Sequence, residues 1–328
     1  AYNTIGNGYG SKWGDDQEAG TGAIVTWGFM LDGTELDPEG FPFHDAITGT
    51  SNITQLRNSV DQHYGSGAFD GALLRAFDTW SSVANITFVG PMTDSGMPVG
   101  AEGATSPHIR IGAFQAVPGE WFQYGGAIGF GPPGPWGPDF FPLSGDVIFN
   151  VAGNGMLTPF QIAPGEEDVD PVDVYQYGDD IEGLFLHELG HAAIGLDHPP
   201  WADENPDRRV MYVGDFDNPE APYCCQAINR QLHDDDIAAA QFVYGVRGDF
   251  NRDGRVDAAD YTLWRNALGE NITAGTGADA NVDGIVDAAD YDAWKPHYGH
   301  VALTGLGEQD CPEEAHGTAA APEPSTTA

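Results

Sequence analysis

Residues 187–198 read His187-Glu188-Leu189-Gly190-His191-Ala192-Ala193-Ile194-Gly195-Leu196-Asp197-His198. A helix turns about 100° per residue, so His187 and His191 share one face a single turn apart, and two imidazoles so placed can grip one metal ion. Glu188, between them, lies near enough to polarise a water on that ion. Gly195 suits a left-handed turn that ends the helix, and His198 beyond it offers a third imidazole. Three neutral histidines leave a tetrahedral Zn²⁺ one open position, the arrangement of a catalytic rather than a structural site.

Further on comes Val210-Met211-Tyr212. Taken in order, HELGH, GLDH and this triplet resemble the metzincin metallopeptidases, and within them the matrixin-like branch. The resemblance implies a zinc endopeptidase with His187, His191 and His198 as ligands, Glu188 as general base, and Met211 in the family's Met-turn beneath the metal. The family pattern is HExxHxxGxxH, whereas here Ala192-Ala193-Ile194 put three residues between His191 and Gly195. An extra helical residue adds roughly 1.5 Å of rise and 100° of rotation. A single-residue bulge would absorb it, and such bulges favour functional sites. Counting from His191 instead makes Asp197 the third ligand, as in relatives whose motif ends in Asp; the intact Gly-Leu-Asp-His register favours His198.

Composition sets the surroundings. The 328 residues carry 12 Lys and Arg against 50 Asp and Glu, a net charge of −38, which argues against nucleic acid and anionic membrane surfaces as partners. No apolar run reaches the length of a membrane span. The opening AYNTIGNGYG lacks the basic and apolar regions of a signal peptide, as expected of a mature or trimmed chain. Cys224, Cys225 and Cys311 suggest no disulfide framework, and no cysteine before them could latch the zinc as a matrixin prodomain does. His44, His63, His108 and His233 have no ligand spacing.

Residues 1–20, rich in Gly and Asp, predict a loose arm. Residues 23–30 have the β-branched and aromatic content of a strand. Leu73, Leu74, Phe77 and Trp80 recur at helical spacing between Phe69 and Trp80. Strands are predicted over 83–89, 108–112 and 146–150, and a helix opening at Asp234-Asp235-Asp236 runs towards Tyr244. The resemblance implies an α+β fold over 21–247, a mixed twisted sheet carrying the active-site helix. In related enzymes the Gly- and Pro-rich region corresponding to 125–145 supplies an edge strand for the substrate, here Ala127, Ile128, Gly129 and Phe130.

A second module is expected over 248–300. Asp249, Asn251, Asp253, Asp257 and Asp260 stand at positions 1, 3, 5, 9 and 12 of a calcium loop, with Gly254 at position 6 and the Arg255 carbonyl at position 7. Thirty residues later Asp279, Asn281, Asp283, Gly284, Ile285, Asp287 and Asp290 repeat the pattern. Each loop ends in Ala-Ala-Asp-Tyr and runs into a short helix carrying Trp264 or Trp294. Aspartate at position 12 and the duplication resemble the dockerin type I module. That resemblance implies a small α-helical domain with two Ca²⁺, closed over a core of Val256, Val286, Leu263 and the two tryptophans, and a cohesin-type scaffold partner. The tail 301–328 has a disordered composition, and Ala321-Pro322-Glu323-Pro324-Ser325-Thr326 resembles the start of the bacterial PEP-type sorting signal. Together these imply an extracellular or cell-surface bacterial protein. The competing reading is a calcium-dependent adhesion or scaffold protein whose metzincin domain is inactive.

Overall fold

The structure, a computed structural model, describes residues 12–14, 18–36, 47–99, 101, 107–116, 127–129, 145–150, 181–196, 210–211 and 230–302. Strands β1 (Ala23–Phe29), β2 (Ile47–Thr48), β3 (Ile86–Val89), β4 (Ile109–Ala116), β5 (Ala127–Gly129) and β6 (Asp146–Asn150) form one mixed sheet of order β3-β1-β4-β6-β5. Neighbours are parallel from β3 through β6, β5 is antiparallel to β6, and β2 pairs antiparallel with the end of β4. Parallel neighbours need long crossovers, and helices α1 (Ile53–Tyr64) and α2 (Ala68–Val83) supply the one from β1 to β3. The α1 helix was not foreseen, although its Ile53, Leu56 and Val60 are buried at helical spacing.

Helix α2 runs to Val83, so β3 starts at Ile86 rather than at residue 83. Its inner face is Phe69, Ala72, Leu73, Ala76, Phe77 and Trp80, whereas Leu74, expected on that face, is 48% exposed. Rings lock the layers together. Trp27 of β1 stacks on Phe77 at 4.9 Å, Phe69 meets Phe149 of β6 edge-on at 5.7 Å, and Phe77 meets Phe185 edge-on at 5.1 Å. Each such pair adds about 0.5–1.5 kcal/mol beyond the area it buries. In β4, Arg110 is fully buried and donates to the Asp94 carboxylate at 2.7 Å and the Met97 carbonyl at 2.7 Å, fastening the chain after β3 to the sheet.

Phe185 belongs to α3 (Ile181–Leu189), in which all nine residues are buried. A helix buried on every side belongs at the centre of a core. Its first turn holds Glu182, paired with Arg75 of α2 at 2.7 Å and with Arg230 at 3.3 Å, a charge that suits a helix N-terminus. Helix α4 (Asp234–Tyr244) adds Ala239, Ala240, Val243 and Tyr244 to the same core.

The expected loose arm is corrected where it is described. Lys12 and Trp13 are buried, because a large ring and a long alkyl chain find cover between α4 and the sheet. The Lys12 ammonium donates to the carbonyls of Glu18 and Thr21 and contacts the Thr21 hydroxyl. Trp13 stacks on His108 at 4.8 Å.

Helices α5 (Ala258–Ala267) and α6 (Ala288–Trp294) follow α4 after a short connection. They close over Val246, Val256, Trp264, Ala278, Val286, Tyr291 and Trp294. Leu263, expected in this core, is 41% exposed, since Tyr261 and Trp264 present the ring surfaces that fill it. This pair of helices is fastened to the sheet. Gly22 N–H donates to the Gly275 carbonyl at 3.1 Å, Asn85 N–H to the Gly245 carbonyl at 2.9 Å, and Arg247 to the Ile86 carbonyl at 2.9 Å. Gly275 has φ +81°, and a Cβ there would press into the Gly22 carbonyl. Among the described residues no helix is long and apolar enough to cross a membrane.

Candidate metal centre and calcium loops

The α3 helix delivers His187 and Glu188 at its last turn. His191 follows on a π-helical turn, Gly190–Ile194. One ligand atom from each of His187, Glu188 and His191 lies within 4.8 Å of the others, and all three side chains are buried. The two imidazole Nε2 atoms are 3.2 Å apart. Two nitrogens bound to one tetrahedral zinc at about 2.0–2.1 Å would stand roughly 3.3 Å from each other.

The opposite ring nitrogens explain the convergence. His187 Nδ1 is 2.5 Å from the Val210 carbonyl and His191 Nδ1 is 2.7 Å from the Leu196 carbonyl. A carbonyl only accepts, so each Nδ1 carries a proton, and Nε2 is the ring atom turned towards the metal position. Burial, reinforced by the neighbouring His191, lowers the His187 pKa to about 3, which keeps the ring in the neutral form a ligand needs.

The residue by which this run exceeds the metzincin pattern falls in the π-helical turn. Gly195, at φ +78°, ends it, and its N–H reaches the carbonyls of Gly190 and His191. Leu196 N–H returns to the Gly190 carbonyl at 2.9 Å, six residues back, one more than the usual Schellman closure spans. The turn is thus wider by one residue while the glycine still terminates it. Asp197 and His198, the two candidates for third ligand, lie outside the described residues, as do Tyr212, Phe130 and the cysteines.

Met211 packs under this turn. A Cβ on Gly190 would collide with the Met211 sulfur and come within 3.4 Å of Trp80. Val210, beside it, is held at both ends: its carbonyl meets His187, and its N–H donates to Asp236 at 3.2 Å. The same Asp236 oxygen caps α4 through the His233 N–H, and burial raises the Asp236 pKa to about 6. Alanine inside a helix normally outperforms glycine by up to about 1 kcal/mol. At Gly190 the sign reverses: Gly190→Ala is expected to destabilise the protein by about 1–3 kcal/mol through overpacking against Met211. A denaturant melt checks this, and an unchanged midpoint would remove Met211 from beneath the turn.

Of the segment expected to bind substrate, Ala127–Gly129 forms β5, the last strand in the sheet order and close to α3.

The two calcium loops have the same internal wiring. Asp249 accepts the N–H of Gly254 at 2.8 Å and of Asp253 at 3.2 Å, and Asp279 accepts those of Gly284 at 2.8 Å and Asp283 at 3.0 Å. Asn251 and Asn281 accept the same Asp253 and Asp283 N–H groups, at 3.0 and 3.1 Å. Asp257 and Asp287 cap α5 and α6, while Asp260 and Asp290 reach back to the cap N–H at 2.8 and 2.7 Å. Arg252 and Val282 sit at matching left-handed φ values of +58° and +64°. Burial, with neighbouring carboxylates, raises the pKa of Asp249, Asp260 and Asp290. Position 7 was expected to use only its carbonyl; Arg255 and Ile285 in addition form isolated bridges to Val301 and Asn271.

Residues 247–295 match the family model of the dockerin type I domain. Dockerin type I domains bind calcium and dock on cohesin domains, and the bacterial proteins that carry them are extracellular; this chain is extracellular on that ground. No curated protein matches the chain.

Proposed function

We propose that the chain is a secreted zinc endopeptidase that hydrolyses peptide bonds with activated water, its catalytic part over 21–247 joined to a calcium-dependent dockerin-type module over 248–300. The observation that carries the reading is the convergence of two imidazoles, each fixed through Nδ1 by a backbone carbonyl, beside a buried carboxylate. A merely structural histidine pair has no need to bring two Nε2 atoms within 3.2 Å of each other beside a carboxylate.

His187 and His191, with His198, would hold the ion. When bound, Zn²⁺ supplies a Lewis acid that lowers the pKa of water and polarises the scissile carbonyl. Glu188 takes the proton from water and passes it to the leaving amine, so no Ser or Cys nucleophile is needed and no acyl-enzyme forms. An extended substrate runs along Ala127, Ile128, Gly129 and Phe130 as an added strand. The two loops, with oxygens from Asp249, Asn251, Asp253, Arg255, Asp257 and Asp260 and from Asp279, Asn281, Asp283, Ile285, Asp287 and Asp290, take one Ca²⁺ each, and the module they fold engages a cohesin.

Metal titration tests the ligand set. One zinc per chain is expected at the histidine site, with His198→Ala weakening it far more than Asp197→Ala. Equal or inverted losses would transfer the third position to Asp197. Absence of any zinc uptake would favour the adhesion or scaffold reading.

A further inference from the structure

A helix end leaves carbonyls without backbone donors, and a widened last turn makes the need for outside donors greater. Two side chains from distant parts of the chain meet that need. Trp13 Nε1 donates to the Ala192 carbonyl at 2.8 Å, and the Tyr244 hydroxyl donates to the Ala193 carbonyl at 2.7 Å. The pair is itself joined, since Trp13 N–H donates to the Tyr244 oxygen at 3.1 Å. Both side chains are buried, and Tyr244 is held protonated by burial, which keeps it a donor.

Their acceptors are two of the three residues between His191 and Gly195. Just beyond the glycine that ends this turn, the Leu196 carbonyl accepts a hydrogen bond from His191 Nδ1, 2.7 Å away. We infer that Trp13 and Tyr244 are positioning residues of the metal centre: their two donors hold the expanded turn open and, through Leu196, keep His191 in ligating geometry. The inference rests on the zinc reading above. It gives the N-terminal segment a part in the site that the HExxH motif alone does not suggest. Trp13 is placed for this by stacking on His108 and by close contact with Gly145, where a Cβ would meet its ring at 2.8 Å. Tyr244 is placed by α4, and the Lys12 ammonium lies 5.1 Å from its ring centroid.

The test uses Trp13→Phe and Tyr244→Phe in the full chain, which delete the donors and keep aromatic rings in place. Zinc affinity is measured by competition with a chelator, and the visible spectrum of the Co²⁺-loaded chain reports ligand geometry. Amide exchange at Leu196, whose N–H closes the turn, is followed in the metal-free protein. Each variant is expected to lose about 10-fold in zinc affinity, as partners behind a ligand commonly do, to shift the Co²⁺ bands and to speed Leu196 exchange. Unaltered affinity and exchange in folded variants would overturn the inference, as would a fall in thermal midpoint with zinc affinity intact. If Tyr244→Phe does not fold, Trp13→Phe carries the same comparison. Should the unaltered chain bind no zinc, the zinc reading fails and with it the positioning role at a metal centre; faster Leu196 exchange in the variants would then describe only the turn.

Discussion

Glu188→Gln is expected to bind zinc as tightly as the unaltered chain and to hydrolyse an unfolded protein substrate on the order of 10²–10⁴-fold more slowly, the range that a positioned general base contributes. Glutamine keeps the shape of the side chain, so packing around this buried residue is preserved. What is lost is the ability to accept a proton, at a point within 4.8 Å of an imidazole nitrogen of His187 and of His191. Loss of zinc along with activity would make Glu188 a ligand rather than a base. Full activity in the variant would move the base elsewhere. If neither form hydrolyses substrate although both hold zinc, the scaffold reading takes over.

Removing calcium should have the second-largest effect. At about 100 times its dissociation constant, a ligand stabilises the folded state by about 2.7 kcal/mol per site. Two sites in so small a module translate into a melting shift on the order of 20 °C. Exchange protection over 248–299 should therefore collapse first in excess EDTA, and retained protection would contradict the calcium assignment. The pH dependence should change sign with the ion. Asp249, Asp260 and Asp290 have raised folded-state pKa values, so the metal-free module binds more protons than its unfolded chain. Its stability is then greatest below the ordinary carboxylate range and declines as pH rises through the raised values. With calcium bound, the ion needs those carboxylates ionised, and stability should instead fall on acidification. Parallel pH profiles with and without calcium would remove these three residues from the loops' ligand set.

The parts of the site that were legible in the sequence are those governed by local spacing. The calcium loops put their oxygens at fixed offsets in one short segment, and the wiring of Asp249 through Asp260 repeats from Asp279 through Asp290. The extra residue after His191 was legible against the metzincin pattern that the run resembles, since counting against that pattern called for a bulge and the π-helical turn lies there. The strand over 146–150 and the helix over 234–244 came out at the bounds their turn and capping residues suggested. What depended on tertiary partners was not legible. Trp13 stands in a Gly- and Asp-rich stretch with no period to read, and its burial depends on His108, Gly145 and Ala192, residues 95 or more positions away. Arg110 reads as an ordinary charged residue in a strand, yet its guanidinium is enclosed with Asp94. The α3 helix has apolar residues on all sides, so it gives no stripe to detect before His187. Leu74 and Leu263 show the opposite error, apolar residues assigned inward because of their type although their faces look outward.

The joint between α4 and the first calcium loop is only residues 245–248, and Gly245 is packed so closely against Gly20 that a Cβ there would strike its carbonyl. A tethered enzyme usually samples a volume set by the length of its tether, which fixes how often it meets a substrate on the same assembly. Here the hand has no wrist. Anchoring the calcium module would also fix the heading of the histidine cluster, leaving any search for substrate to the motion of the anchor and the supply of loose chains.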